Sequence, residues 1–445
     1  MEKPVKLSSR DKKTVFIILF SALIIKLILA FTVDVELRSD SLEYHTLANN
    51  IVKLGEYSFE GKLTARLSCG YPLFIASVYK IFGEGQIAVR VIQSFFEVAT
   101  GLFFFLICLN YLNPRQSIIA LSVFTFLPSN ILYSQTILTE PLYGLLSCVL
   151  LYYCLREKID WEIFFIGIIW GYTVLVRTSF ALSVILVPLF LFLYRKRLFE
   201  GFSRNRIRKF VFYSILFITG FFCTIFPWML RNKNAINSFT IATQGGYTFW
   251  AGSNPNATGT WYNKIEESDA KFNIQDEVEK DKAFMKEGID YAFKNPHKFL
   301  FLGIKKLGYL FSSERMIVLY FTKAGEADKT STDVYRSVNP LIIAFINIPY
   351  FIVMLAGAWG LLAIKKKKFI LYGLVFLWML TFFVFVALAR YHYVLIPFFT
   401  IGAVMLFTDS KKVFRELSVS KKVVAAVFNL FLIAVWISEF YLMYK

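Results

Sequence analysis

The sequence has few of the side chains that bind metals or form disulfides, with five cysteines and three histidines in 445 residues. Four of the cysteines lie inside apolar runs, which leaves Cys69 alone in a predicted exposed loop. Neither a CxxC spacing nor a pair of neighbouring histidines is present to hold a metal ion. We therefore expect no structural disulfide. The sequence identifies no particular cofactor and leaves the involvement of a divalent metal open.

Acidic residues are also scarce, with 31 Asp and Glu against 49 Lys and Arg, for a net charge of +18. Such an excess could indicate a nucleic-acid partner. The basic residues, however, form short clusters between apolar runs rather than a basic face with stacking aromatic rings. The clusters are Lys3–Lys13, Arg195–Lys209, Lys365–Lys368 and Lys411–Lys422. This pattern is typical of the cytoplasmic ends of membrane spans and argues against nucleic acid.

Apolar residues are abundant: 57% of the chain is hydrophobic and 18% is aromatic. Mean hydropathy is +0.55. Several apolar runs reach the roughly 17–25 residues that cross a bilayer as a helix, which a soluble protein with a large core does not require. We predict an all-α polytopic membrane protein with about 11 transmembrane helices, a cytoplasmic N-terminus and an extracytoplasmic C-terminus.

This topology divides the chain into three parts. Residues 1–230 hold spans one to seven and an active-site loop at 33–86, residues 231–340 form a large extracytoplasmic loop region, and residues 341–445 hold spans eight to eleven. The run Trp161–Tyr194 is too long for one crossing of a core about 30 Å thick, so we predict a hairpin with Arg177 at its outer tip. The shorter run Phe299–Phe311 is expected to lie on the outer membrane surface.

The first predicted loop carries two carboxylates, Asp40 and Glu43, at positions i and i+3. A short helix that begins at Ser39 or Asp40 and ends at Gly55 would place both on one face. Such a pair could act as a general base, bind a cation, or simply face solvent, and the spacing alone favours solvent.

Other charged residues lie near the outer ends of spans or inside them. The outer arginines are Arg66, Arg177, Arg231 and Arg390. One interpretation is that they bind a phosphate at the depth of the lipid headgroups. The alternative is that each side chain simply extends to the membrane surface and contacts the headgroups of surrounding lipids. Glu140 opens span four near the same surface, and Lys26 and Glu97 lie inside spans one and two, at depths where we expect a structural ion pair.

Several short stretches occur in a characteristic order: SDSLEYHTLANNI, an Arg before GYPLFIA, FLPSNILYSQTILTEPLY, FPWMLRN with GSNPNATG, and ARYHYVLIPF. Together they resemble the bacterial members of the protein-mannosyltransferase-like type C (GT-C) glycosyltransferases, family 39 and its relatives. The resemblance implies the GT-C fold, with short interfacial helices in the first extracytoplasmic loop, in the plasma membrane.

The resemblance also implies an activity. Such an enzyme is an inverting hexosyltransferase that moves a monosaccharide from a polyprenyl-phosphate donor to an extracytoplasmic acceptor, which is a glycolipid, a wall polymer or a protein of the cell envelope. In that family the acid of the first outer loop is the catalytic base, a position that Asp40 matches. Arg66 most nearly matches the basic residue near the donor phosphate. No nucleotide-binding glycine loop is visible, in keeping with a lipid-linked donor.

The same chemistry assigns roles to the remaining candidates. We interpret Glu43 or Glu140 as a secondary acid, Arg66, Arg177 and Arg390 as phosphate ligands, and Tyr391 and His392 as assisting groups. Two other classes stay open. A transporter or flippase of a lipid-linked or polar substrate would place its polar groups near the membrane midplane, and a non-enzymatic assembly scaffold would not need Asp40 beside arginines.

Overall fold

The computed structural model describes residues 7–156, 161–185, 204–261, 269–322 and 331–444, which are largely helical. The helices of the first half are α1 (Ser9–Thr32), α2 (Asp40–Leu54), α3 (Gly70–Phe82), α4 (Gln86–Cys108), α5 (Pro114–Phe126), α6 (Pro128–Tyr133), α7 (Glu140–Leu155), α8 (Glu162–Val176) and α9 (Arg204–Ile236). An antiparallel hairpin joins β1 (Ser58–Phe59) to β2 (Lys62–Leu63) within the first predicted loop.

The second half continues in the same way. Its helices are α10 (Gly245–Ala251), α11 (Glu277–Lys294), α12 (Pro296–Leu310), α13 (Arg315–Phe321), α14 (Ser331–Arg336), α15 (Pro340–Ala363), α16 (Lys368–Val384), α17 (Ile396–Thr408), α18 (Ser410–Glu416) and α19 (Val419–Tyr444). Short 3-10 helices cover Thr178–Ile185, Ala270–Asn273 and Ala389–Leu395.

Six helices in the described ranges are long and apolar enough to cross a membrane. They are Ser9–Thr32, Gln86–Cys108, Arg208–Ile236, Pro340–Ala363, Ala389–Thr408 and Val419–Tyr444. Helices suit this environment because their backbone N–H and C=O groups pair within the segment. The protein is an all-α membrane protein, which confirms the predicted class.

The candidate spans differ in how much of their surface the protein covers. In the most apolar 18-residue stretch of α19, only 17% of the residues are buried within the protein, against 67% in the corresponding stretch of Ala389–Thr408. An apolar helix that its own chain leaves uncovered is expected to face lipid. The helix that follows Arg390 therefore lies at the centre of the bundle, whereas α19 lies at its edge.

Close backbone contact holds this central helix in place. A Cβ atom added to Gly360 of α15 would lie 1.9 Å from the carbonyl oxygen of Gly402 of α17. Only small residues allow two helices to approach so closely. The contact fixes α17, and with it the segment that carries Arg390 at its N-terminal end.

Two predicted helix ends are confirmed. Gly55 closes α2 with a left-handed φ of 71°, and α8 ends immediately before Arg177. Pro128 also separates α5 from α6. Parts of other predictions lie outside the described residues. They are Lys3 and Lys6, most of the basic cluster Arg195–Lys209, and the return leg of the predicted hairpin at 186–194.

Two expectations are wrong. Cys69 is fully buried rather than exposed, because the start of α3 packs on α8 so tightly that a Cβ on Gly70 would lie 2.6 Å from the backbone of Leu175. Lys26 and Glu97 are both buried and interact electrostatically, but these two described residues form no direct ion pair within 4 Å.

Each of the two groups is satisfied by another partner. The Lys26 ammonium donates to the carbonyl oxygen of Asn130 at 2.7 Å, and Glu97 accepts from the Tyr393 hydroxyl. Both partners come from other segments that pack against α1 and α4. The depth of a residue in the membrane, inferred from its position in a span, does not show which segments will pack there.

Candidate functional site

A cavity of about 400 Å³ lies where the first loop, the segment after α8 and the segment before α17 meet. Five of the predicted site residues line it: Asp40, Arg66, Arg177, Arg390 and Tyr391. These residues come from four separate stretches of the chain, so the fold brings together most of the charged candidates.

The closest charged contact in the cavity is the ion pair between Arg390 and Asp40. Asp40 is the first residue of α2, and Arg390 lies in the first turn of the 3-10 helix before α17. The Arg390 side chain is 5% exposed, whereas that of Asp40 is 35% exposed. Both side chains line the cavity, and the carboxylate is the more accessible of the two.

The electrostatic environment keeps the Asp40 carboxyl ionised. Burial alone would raise its pKa, but the charge and hydrogen bond of Arg390, together with the charge of Arg177, outweigh that effect and hold the pKa below its ordinary value. Asp40 is thus a carboxylate, able to accept a hydrogen bond or a proton.

Glu140 lies beneath the cavity and joins two of its arginines, Arg177 and Arg390. Its carboxylate is fully buried and accepts from Arg177 at 3.1 Å, and the Nε atom of Arg390 lies 3.6 Å from the same oxygen. A buried carboxylate requires compensation of this kind. Arg390 Nε makes no hydrogen bond in the structure, so this guanidinium keeps an unused donor.

An aromatic ring packs against the guanidinium groups of Arg177 and Arg390. The Tyr391 ring centre lies 4.5 Å from the Arg177 guanidinium carbon and 5.4 Å from that of Arg390. Tyr391 in turn stacks on Phe382 at 4.7 Å. Cation–π contacts of this geometry restrict the arginine side chains without neutralising them.

Two further predicted residues, Glu43 and Arg231, do not line the cavity. Glu43 forms an ion pair with Arg66 at 2.7 Å at the rim of the cavity. Arg231 donates to the backbone carbonyls of Thr64 and Tyr57, so it ties the first loop to α9. In both cases the charge already has a partner within the protein.

His392 lies outside the cavity, contrary to its predicted role beside a phosphate. Its Nδ1 atom is 3.0 Å from the carbonyl oxygen of Leu310, and its Nε2 atom is 3.2 Å from Glu314. The 3-10 helix explains the difference: at three residues per turn, residues 390 and 392 point in different directions.

Sequence reasoning missed one wall of the cavity. Gln244, Thr248 and Trp261 from the 231–340 region line it, as do Thr381 and Phe382 from α16. These side chains carry no charge, so the only available signal was the unusual Gly- and Asn-rich stretch in which the first three lie.

The described part of the chain contains no group of three or more His, Cys, Asp or Glu side chains arranged to hold a metal ion. Fold and site together define an all-α membrane protein with a cavity lined by an ionised carboxylate and several arginines. Comparison of the chain with protein-family models and with curated protein sequences finds no match.

Proposed function

We propose that this protein is an inverting GT-C glycosyltransferase that moves a monosaccharide from a polyprenyl-phosphate donor to an extracytoplasmic acceptor. The observation that carries the proposal is the Asp40 carboxylate in one cavity with Arg177 and Arg390. A transfer of this kind needs a base for the acceptor hydroxyl and cations for the departing phosphate.

The proposed reaction is a single displacement. The acceptor oxygen attacks the anomeric carbon as Asp40 takes its proton, a glycosidic bond forms, and the bond from the sugar to the phosphate breaks. The polyprenyl phosphate leaves with the bonding electrons, and one displacement inverts the configuration. Arg177 and Arg390 stabilise the negative charge on the phosphate.

The ion pair between Asp40 and Arg390 gives donor binding a chemical consequence. A phosphate that engages Arg390 competes with Asp40 for the guanidinium and offsets its charge. The Asp40 carboxylate then loses much of the stabilisation that lowers its pKa, so it becomes a stronger base when the donor is bound. We infer a positioning role for Glu140, because its buried carboxylate lies behind both arginines.

The proposed enzyme has eleven spans in the plasma membrane, with the cavity on the extracytoplasmic side. The six long helices, three shorter apolar helices and the pair broken at Pro128 account for ten of them, and the eleventh, the predicted return leg at 186–194, lies outside the described residues. A reporter fused to the C-terminus should read as extracytoplasmic. A cytoplasmic reading would show that one span has been miscounted.

A transporter or flippase is the second candidate, because Lys26 and Glu97 are charged residues buried within candidate spans. Their partners are nevertheless internal, a backbone carbonyl for Lys26 and a tyrosine hydroxyl for Glu97. That arrangement leaves the cavity at Asp40 as the better supported site.

Purified protein in liposomes separates the classes. With a radiolabelled polyprenyl-phosphate sugar and a cell-envelope extract as acceptor, a transferase moves the label from the lipid to a new product. A flippase moves the intact lipid between leaflets, and a scaffold does neither. Label that never leaves the donor lipid would contradict the proposal.

A further inference from the structure

A second cavity, of about 680 Å³, lies between α12, α13 and α19. Most of its lining is apolar, and the larger apolar residues include Ile304, Met316, Leu319, Phe431, Val435 and Leu442. Ile304 and Leu442 are 54% and 69% exposed. They lie on α12 and on α19, the helix whose surface the protein leaves largely uncovered, so the cavity opens toward the surface expected to face lipid.

The polar part of this cavity is cationic. Arg315 and Lys305 line it, together with one carboxylate, Glu439. The Glu439 carboxylate accepts from the backbone N–H of Ser313 at 2.8 Å. Arg315 donates to the hydroxyl of Thr332 at 3.0 Å, and no carboxylate lies within 4 Å of it among the residues that the structure describes.

The two cations outnumber the single carboxylate, Glu439, with which Arg315 already interacts electrostatically, so the cavity keeps a net positive charge that requires compensation in a membrane protein. A phosphodiester supplies that compensation, and guanidinium groups bind it well. The apolar lining then requires hydrocarbon on the same ligand. An inorganic phosphate satisfies only the first requirement and a neutral lipid only the second.

We propose that this cavity binds an anionic membrane phospholipid, with its phosphate at Arg315 and Lys305 and its chains along α12 and α19. The inference depends on the membrane class of the protein and on this cavity alone, so it does not rest on glycosyl transfer. Phosphate-bearing lipid is present wherever the protein resides, which makes the site continuously supplied.

The second cavity lies back to back with the first. Ala389 lines the second cavity while the adjacent Arg390 lines the first, and Thr260 and Trp261 divide in the same way. A lipid in the second cavity would therefore pack against the backbone that carries Arg390. Occupancy would support the position of that arginine from behind.

The test uses the full-length protein in phosphatidylcholine nanodiscs with trace phosphatidylglycerol that carries a diazirine in one acyl chain. After irradiation, mass spectrometry should locate the label on peptides from α12, α13 and α19. A phosphatidylcholine probe with the same chains keeps the phosphodiester but adds a choline cation that repels Arg315 and Lys305, so it should label these peptides about tenfold less. This comparison needs no variant.

Variants locate the contacts. Arg315→Gln should lower labelling by phosphatidylglycerol about tenfold, whereas Lys298→Gln on α12, an exposed lysine outside the cavity, should not. Ala434→Trp fills the cavity and should also reduce labelling, whereas Ile437→Trp, on an exposed part of the same helix, should not.

Three results would overturn the inference: equal labelling by both lipids, label confined to other helices, or unchanged labelling in Arg315→Gln. Because glycosyl transfer is measured separately on the same samples, loss of one property with retention of the other tells the two proposals apart.

Discussion

Two acid–base pairs flank the same 3-10 helix, and they differ in access rather than in chemistry. Arg390 pairs with Asp40, whose side chain is 35% exposed to the cavity. Two residues later, His392 pairs with Glu314, and both of those side chains are fully buried. A pair that opens to a cavity can exchange one partner for a ligand, whereas a closed pair can only hold its neighbours together.

The closed pair is tightly enclosed. His392 stacks on Tyr350 with 4.4 Å between the ring centres, and its Nδ1 atom donates to the carbonyl oxygen of Leu310. The pair therefore joins the end of α12 to the segment before α17. The comparison predicts that variants of the open pair change activity and that variants of the closed pair change stability.

The largest effect is expected at Asp40. Asp40→Asn keeps the shape of the side chain but cannot accept the acceptor proton, so transfer should fall by about 10²- to 10⁴-fold in a single-turnover assay while donor binding survives. Glu43→Gln is the matched control, because its carboxylate is already paired with Arg66. Near-normal transfer in Asp40→Asn would contradict the assigned base.

The closed pair should contribute to folding. Glu314→Ala removes the buried carboxylate that lies 3.2 Å from His392 and should lower stability by about 1–3 kcal/mol, measured by thermal denaturation in detergent. Glu314→Gln keeps the volume and a polar group in place and should cost less. Donor binding by the protein that remains folded should be unchanged. Lost transfer with normal stability would instead give Glu314 a chemical role.

Arg390→Lys tests whether the pair of Arg390 and Asp40 requires the several N–H donors of a guanidinium group. A lysine carries a single point charge and cannot reach Asp40 and Glu140 together, so donor affinity should fall about tenfold, which corresponds to ~1.4 kcal/mol. Arg156→Lys, which alters the ion pair with Glu162, serves as the control. Equal donor affinity in Arg390→Lys and the wild type would remove Arg390 from the phosphate site.

The smallest effect is a shift in pH dependence. The pKa of Asp40 lies below its ordinary value, so the carboxylate is ionised above that pKa and is protonated only as the pH falls through it. Transfer measured as kcat/KM should therefore persist below pH of about 4, the ordinary aspartate value. Arg177→Gln removes one of the charges that lower the pKa, so its acidic limb should move to higher pH. An unmoved limb would show that another group governs it.

Local chemistry in the sequence is enough to predict the class of this protein and several of the positions at which its helices end. Long apolar runs must become helices in lipid because no water is present to satisfy the backbone. Pro128 and Gly55 end helices through constraints that act within one or two residues. Asp40 and the arginines could be selected because charge near the end of a span is costly and therefore informative.

Pairing between distant residues was decided by the tertiary structure. Asp40 and Arg390 lie 350 positions apart, and their ion pair depends on helix contacts such as that between Gly360 and Gly402. Lys26 and Glu97 have the depths of a pair, yet Asn130 and Tyr393 take their places as partners. Spacing along the sequence gives the side chain a depth and a face. Which group lies opposite depends on how all the helices pack, and packing is a property of the whole chain.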